Sequence, residues 1–285
     1  MVALASGRYV VYGFGSRRRS PVQGLLQQYV ELDITDRTGV VGAVVALRPD
    51  WVINAAAMTD VDRCEDHPGR ACDVNVEGVR HLVAGCEQCG ARLVQLSSDY
   101  VFDGDAGPYT EMDEPNPMNV YGRTKLASER MLQKSGVEHV IVRTAVLYGC
   151  APHIRPNLVS WVRSALRRGE TIRVATDLTS NPTLADDLAE GILTAIEKGA
   201  AGTFHMAGSD ELSRYGFAQM VAREFRLDEN LLVPALSTRL GLAAPRPRHS
   251  GLRSERARDE LGHTFLSAKQ GLRALRRQIA ECEDT

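Results

Sequence analysis

No uninterrupted apolar run in this chain approaches the roughly 18 residues that a membrane-crossing helix requires, so nothing in it reads as a membrane span. The start lacks the long apolar core of a secretory signal. A surplus of one charge is missing too. The 34 Lys and Arg residues face 36 Asp and Glu, a formal net charge of -2, which argues against a nucleic-acid partner that would want a concentrated basic face. Cysteine is sparse, with six residues at 64, 72, 86, 89, 150 and 282, of which only Cys86 and Cys89 form a close pair. No second C-x-x-C follows to complete a four-thiolate metal site. The pair could be redox-active or bind a metal, or be two ordinary cysteines at the end of an apolar-periodic helix; reduced thiols in a cytoplasmic protein fit the set best. Internal repeats are not evident.

What is present suits a globular protein. At 285 residues, with 44% hydrophobic and 25% charged residues, the chain can bury a substantial core in one large or two modest domains. Residues 92–125 organise the rest: R-L-V-Q-L-S-S-D-Y-V-F-D-G-D-A-G-P-Y-T-E-M-D-E-P-N-P-M-N-V-Y-G-R-T-K. Leu93, Val94 and Leu96 have the character of a buried strand. Ser97, Ser98 and Asp99 end it, at the edge where open α/β sheets bind ligands. Asn119 can start the next helix, and Tyr121 and Lys125 lie four apart on one face of it. A hydroxyl, a phenol and an ammonium therefore converge on one crevice.

These groups suit hydride transfer at a carbonyl, whose oxygen needs a proton as the hydride arrives. A free phenol, with a pKa of about 10, is a poor acid near neutrality. The Lys125 ammonium would lower that value, Ser98 would donate a hydrogen bond to the same oxygen, and Lys125 could also hold a nicotinamide ribose. The alternative is a surface helix with a solvated lysine and a packed tyrosine, because Y-x-x-x-K is frequent by accident.

Y-G-R-T-K at 121–125 after L-S-S-D-Y-V-F at 96–102 resembles the extended short-chain dehydrogenase/reductases, and more narrowly the dTDP-4-dehydrorhamnose reductase group. The likeness also takes in V-I-N-A-A-A at 52–57, D-V-N-V-E-G at 73–78, S-N-P-T-L-A-D-D-L-A at 180–189 and R-P-R-H-S-G-L at 246–252. It implies an α/β, Rossmann-like, doubly wound and mostly parallel sheet. Residues 1–150 would bind a dinucleotide; residues 151–285 would be mainly a smaller substrate domain, with some segments returning to the first. The catalytic set implied is Ser98, Tyr121 and Lys125, with Ser98 where the family usually has threonine. NADP is the implied cofactor, with NAD possible, and the implied substrate is a 4-keto-6-deoxy nucleotide sugar. Asp99, Asn157 and Arg246 fall at positions that resemble substrate contacts, Asn75 matches an asparagine that braces the active-site strand, and Val146 stands where relatives often carry a tryptophan against the sugar. No metal is placed, and a homodimer is compatible with the likeness.

The beginning departs from the pattern. A dinucleotide-binding fold opens with a strand, a G-x-G-x-x-G or related loop and a helix. Here residues 9–12 read as a strand followed by Gly13, Gly15 and a basic loop that carries Arg17 and Arg18, with no third glycine in place. Either Gly13 and Gly15 are the phosphate loop, or residues 2–7 end the first helix and residues 8–12 form the second strand. The second register is preferred, and it leaves the first strand and the glycine-rich loop missing or altered. Arg17 and Arg18 would then lie where this fold reads the adenosine ribose, favouring a 2′-phosphate, unless they form only a solvated turn. Asp33 would lie near the adenine, and Ala55, Ala56 and Ala57 would let a dinucleotide pass close to the backbone.

Further along, strands are expected at 30–33, 51–54, 139–144, 172–174 and 203–206. Helices are expected at 38–47, 73–88, 158–166, 184–196, 215–225, 258–261 and 269–279, with residues 61–68 a polar connection and 102–119 a loop. Thr183 reads as an N-cap with Asp186 three residues on. A second functional reading stays open. S-S-D-Y-V-F-D-G, P-x-N-x-Y-G-x-T-K, the 202–205 strand and an early G-F followed by arginines also resemble the non-catalytic beta subunit of methionine adenosyltransferase, which would make a catalytic subunit the partner.

Overall fold

The structure is a computed structural model, and it describes residues 7–16, 23–151 and 156–283. The chain divides into two compact units. The first takes residues 1–102, 114–143 and 192–204, and the second takes 103–113, 144–191 and 205–285.

In the first unit, β1 (Tyr12–Gly15) pairs in parallel with β2 (Gln28–Glu31), Tyr12 opposite Gln28. The strand begins three residues later than the sequence suggested and contains Gly13 and Gly15, so neither glycine sits in a strand-to-helix loop. Each faces the tip of a side chain: a Cβ on Gly13 would lie 2.5 Å from Leu26 Cδ1, and one on Gly15 2.7 Å from the Tyr29 hydroxyl. Parallel pairing of two successive strands is common to both registers. Asp36 caps α1 (Arg37–Leu47) by accepting from the Gly39 amide.

Next come β3 (Trp51–Asn54), α2 (Val61–Asp66), α3 (Pro68–Cys72), a π-helical turn over Asp73–Glu77 and α4 (Gly78–Cys89). The connection expected at 61–68 is therefore largely helical. Its start signals were local: the Asp60 carboxylate accepts from the Arg63 amide, and Pro68 opens α3. After β4 (Arg92–Ser98), α5 (Val120–Gln133) and β5 (His139–Thr144) complete the part of the unit that carries the candidate site. The main sheet runs in the order β10-β5-β4-β3, where β10 is Gly202–His205. β3 and β4 are parallel, with Asn54 opposite Gln95. Among the described residues, no strand pairs with the other edge of β3, and β1 and β2 form their own sheet. Val10, Tyr12, Phe14 and Val30 are exposed.

Val40 and Val44 of α1, Val79, Leu82 and Val83 of α4, Leu132 of α5, Leu93 of β4 and Ile141 of β5 form one core cluster. Full burial of such a side chain contributes about 1.5–3 kcal/mol. Gly85 lets α1 and α4 meet closely, since a Cβ there would sit 2.9 Å from Val44.

The second unit contains three small two-stranded sheets. β6 (Leu147–Tyr148) pairs with β9 (Thr183–Leu184), β7 (Ile172–Ala175) with β12 (Leu232–Ala235), and β8 (Thr179–Ser180) with β11 (Leu212–Ser213). The helices are α6 (Leu158–Arg167), α7 (Ala185–Glu197), whose residues from Ile192 on belong to the first unit, α8 (Arg214–Glu224) and α9 (Ala268–Glu283). Tyr148, Val159, Val162, Phe217, Leu272 and Leu275 are central to its core. Thr183 is not the expected cap: it lies in β9, where its hydroxyl donates to the Asn181 carbonyl and accepts from the Gly208 amide. No helix among the described residues is long and apolar enough to cross a membrane.

Candidate active site

Ser98 closes β4, a strand anchored by the fully buried Leu93 and Val94. It also caps the 3-10 turn over Asp99–Val101, its Oγ accepting from the Tyr100 amide at 3.2 Å and donating to Asp99 Oδ1 at 2.9 Å. Tyr121 enters from α5, which Asn119 caps by accepting from the Gly122 amide at 2.7 Å. Helix and turn meet backbone to backbone, since a Cβ on Gly122 would lie 2.0 Å from the Tyr100 carbonyl oxygen. The Tyr100 ring packs edge-on against Tyr121 at a centroid distance of 6.0 Å.

This approach brings the Ser98 hydroxyl close enough to the Tyr121 phenol to act on its acidity. Burial raises the phenol pKa above its ordinary range, the nearby Ser98 hydroxyl pulls the other way, and the neighbouring Asp99 carboxylate adds to the rise. This corrects the sequence-based expectation that Lys125 makes the phenol more acidic. The Lys125 Nζ donates instead to the Leu96 carbonyl at 2.5 Å. Lys125 is itself buried, and desolvation lowers its pKa from 10.5 to about 8, against an upward pull from Glu129. Tyr121 thus stays protonated through neutral pH, as a weaker acid than a free phenol.

Glu129 and Arg143 were missed by sequence reasoning, although Tyr121, Lys125 and Glu129 follow one another at four-residue spacing on α5. Both side chains are buried. Arg143 Nε reaches the two Glu129 oxygens at 3.1 and 3.2 Å, and NH2 reaches Oε2 at 2.7 Å. The guanidinium also lies 5.2 Å from the centre of the Phe102 ring. Asn75 does brace the site, though through the helix rather than the strand. It donates to the Met58 carbonyl and to Thr124 Oγ1 and accepts from the Met58 amide, at 3.1, 2.9 and 2.8 Å.

The remaining expected residues are spread more widely. Asp99 is buried beside Ser98. Ala55 and Ala56 are exposed and Ala57 half-buried, just beyond the end of β3, with the Ala56 amide donating to the Asn54 side chain at 3.0 Å. Asp33 follows β2; the Thr35 amide and hydroxyl at 2.9 and 2.8 Å hold its carboxyl low, helped by Arg70 at 3.3 Å. In the second unit, Asn157 is committed to a capping box on α6 and donates to the Gly149 carbonyl, while Arg246 donates to the Ala244 carbonyl. Arg17 and Arg18 lie outside the described residues. Val146 has the left-handed φ of 43°, uncommon for a β-branched residue.

Several comparisons bear on this arrangement. Residues 5–280 match the family described as the RmlD substrate binding domain. A dTDP-4-dehydrorhamnose reductase of Mycobacterium tuberculosis is 38% identical over 211 residues, covering 72% of this chain and 69% of that protein. The methionine adenosyltransferase 2 subunit beta of Bos taurus is 30% identical over 248 residues, 84% of this chain and 72% of that one. The crystal structure of dTDP-4-dehydrorhamnose reductase from Bacillus anthracis, in complex with NADP, superposes with a TM-score of 0.85 at 27% identity, covering 95% of this chain and all of that one. Sequence and fold agree that this chain belongs to the RmlD substrate binding domain family, within the extended short-chain dehydrogenase/reductases.

Proposed function

We propose that this chain is an NADP(H)-dependent reductase of a 4-keto-6-deoxy nucleotide sugar. The observation that carries the reading is the approach of the Ser98 hydroxyl, at the end of β4, to the Tyr121 phenol on α5, with Lys125 one helical turn beyond. The exposed Ala55 and Ala56 past the end of β3 leave the backbone open to close approach, which fits a dinucleotide. Ala55 to Ala57, Asp33, Arg17, Arg18, Tyr121 and Lys125 are the residues proposed to hold it. Among the described residues there is no glycine-rich strand-to-helix loop, so cofactor affinity is the first property to measure.

When bound, the reduced nicotinamide supplies a hydride to the C4 carbonyl carbon. Tyr121 gives its phenolic proton to the carbonyl oxygen, and the Ser98 hydroxyl turns from Asp99 to donate a hydrogen bond to the same oxygen. These contacts strengthen as negative charge develops there, so they favour the transition state over the ketone. Lys125 supports the ribose; Asp99, Asn157 and Arg246 are proposed on the substrate side, with the second unit as the sugar-binding one.

The experiment is titration with NADPH and NADH, followed by turnover of a dTDP-4-keto-6-deoxyhexose with product analysis. Saturable NADPH binding and formation of the C4 alcohol are expected; no binding of either nucleotide would overturn the reading. A second reading, a regulatory subunit of a methionine adenosyltransferase, is favoured by the likeness to the bovine subunit. It would be supported by dinucleotide binding without turnover, together with a changed rate of the adenosyltransferase on mixing.

A further inference from the structure

We infer that Glu65, a half-buried residue of α2 with no direct part in the chemistry, is a positioning residue that seats the helix carrying Tyr121. This inference rests on the reductase reading. Glu65 Oε1 accepts from the backbone amide of Val120 at 2.7 Å, across 55 residues of sequence. Val120 is the first residue of α5 and Tyr121 the second. The first four amides of a helix have no partner within it. Here Asn119 takes the Gly122 amide from within the chain's own turn, and Glu65 takes the Val120 amide from another helix.

That bond ties α5 to the surface against which the Tyr121 ring rests. Cys64, one residue before Glu65, is fully buried in a cluster with Ala71 and Tyr121, and Val61, Tyr100 and Val120 pack against it. On the opposite side Gly122 abuts the Tyr100 carbonyl, so the start of α5 is fixed by the Asp99–Val101 turn and by α2. A carboxylate also suits the partial positive charge at a helix N-terminus. Removing it frees the helix start to slide on the α2 face, and the phenol moves with it relative to Ser98. Misplacement of a reacting group by about 1 Å can lower a rate on the order of 10²-fold.

The test compares Glu65→Ala and Glu65→Gln with the parent chain for kcat, KM, NADPH affinity, thermal midpoint and hydrogen exchange at the Val120 amide. Glutamine keeps an acceptor oxygen. The alanine variant should lose roughly 10- to 100-fold in kcat, with NADPH affinity within about twofold of the parent and faster Val120 exchange. Glu65→Gln should recover most of the rate and the protection. The inference is overturned if Glu65→Ala keeps kcat within about twofold of the parent. It is equally overturned if both variants lose rate and melting temperature together without rescue by glutamine. Should the parent chain itself not turn over, the reductase reading fails, and the exchange comparison alone decides whether Glu65 seats the helix: unchanged Val120 exchange in Glu65→Ala rejects it.

Discussion

Replacing Lys125 with methionine should make the folded chain more stable while abolishing reduction. Burial lowers the Lys125 pKa from 10.5 to about 8. At 1.36 kcal/mol per pKa unit, holding the ammonium charged in the fold costs roughly 3 kcal/mol at pH 7. The folded group gives up its proton more readily than the unfolded one. Between about pH 8 and 10.5 the unfolded chain therefore binds more protons, and stability rises with pH. The penalty is complete below about pH 8 and gone above 10.5. Methionine brings a similar length without the charge, and its neighbours keep their partners. The Leu96 carbonyl still accepts from Gln95 Nε2 at 2.8 Å, and Glu129 retains all of its Arg143 hydrogen bonds. Allowing about 1 kcal/mol for the lost Lys125 hydrogen bond, the variant should gain roughly 1–3 kcal/mol at pH 7. Urea unfolding of both chains at pH 7, 8, 9 and 10 measures this. The gain should shrink steadily above pH 8. A variant less stable than the parent at pH 7, or a difference constant across the range, would refute the reasoning.

Two further substitutions probe how the site is held. Gly122→Ala places a Cβ 2.0 Å from the Tyr100 carbonyl oxygen, so α5 must back away from the turn next to Ser98. Turnover should fall on the order of 10²-fold, and stability by about 1–3 kcal/mol, in steady-state kinetics and thermal melts. Asn75→Ala removes three hydrogen bonds, strands the Met58 amide and leaves the Met58 carbonyl only the weak Cys64 thiol donor, for a loss of about 3 kcal/mol. The urea midpoint should drop with an unchanged slope, and a loss below about 1 kcal/mol would count against the bracing role.

Much of this was legible in the sequence. Residues 51–54 and 139–144 form strands with the expected bounds, because short apolar runs between polar breaks leave little choice of register. Asn119 caps α5 as its side chain suggested, and the Y-x-x-x-K spacing put Tyr121 and Lys125 on one face. What sequence could not show was long-range pairing. Arg143 meets Glu129 across 14 residues and Glu65 meets Val120 across 55, contacts that exist only once strands and helices are packed. The relation of Lys125 to Tyr121 was misjudged for a similar reason. Spacing sets the face of a helix, whereas the direction of an ammonium depends on which carbonyl it can reach, here that of Leu96. The start was the hardest part, since glycines inside a strand look like those of a phosphate loop until Leu26 and Tyr29 are seen against them.

The central claim is that the Tyr121 phenol delivers the proton that completes reduction of a sugar ketone. It is tested most directly by following NADPH consumption with a dTDP-4-keto-6-deoxyhexose in the parent chain and in Tyr121→Phe, both at saturating cofactor. Phenylalanine keeps the ring in its packing site and removes only the hydroxyl. The parent should turn over, and Tyr121→Phe should lose about 10²- to 10⁴-fold in kcat with little change in NADPH affinity. Equal rates in the two chains would contradict the account.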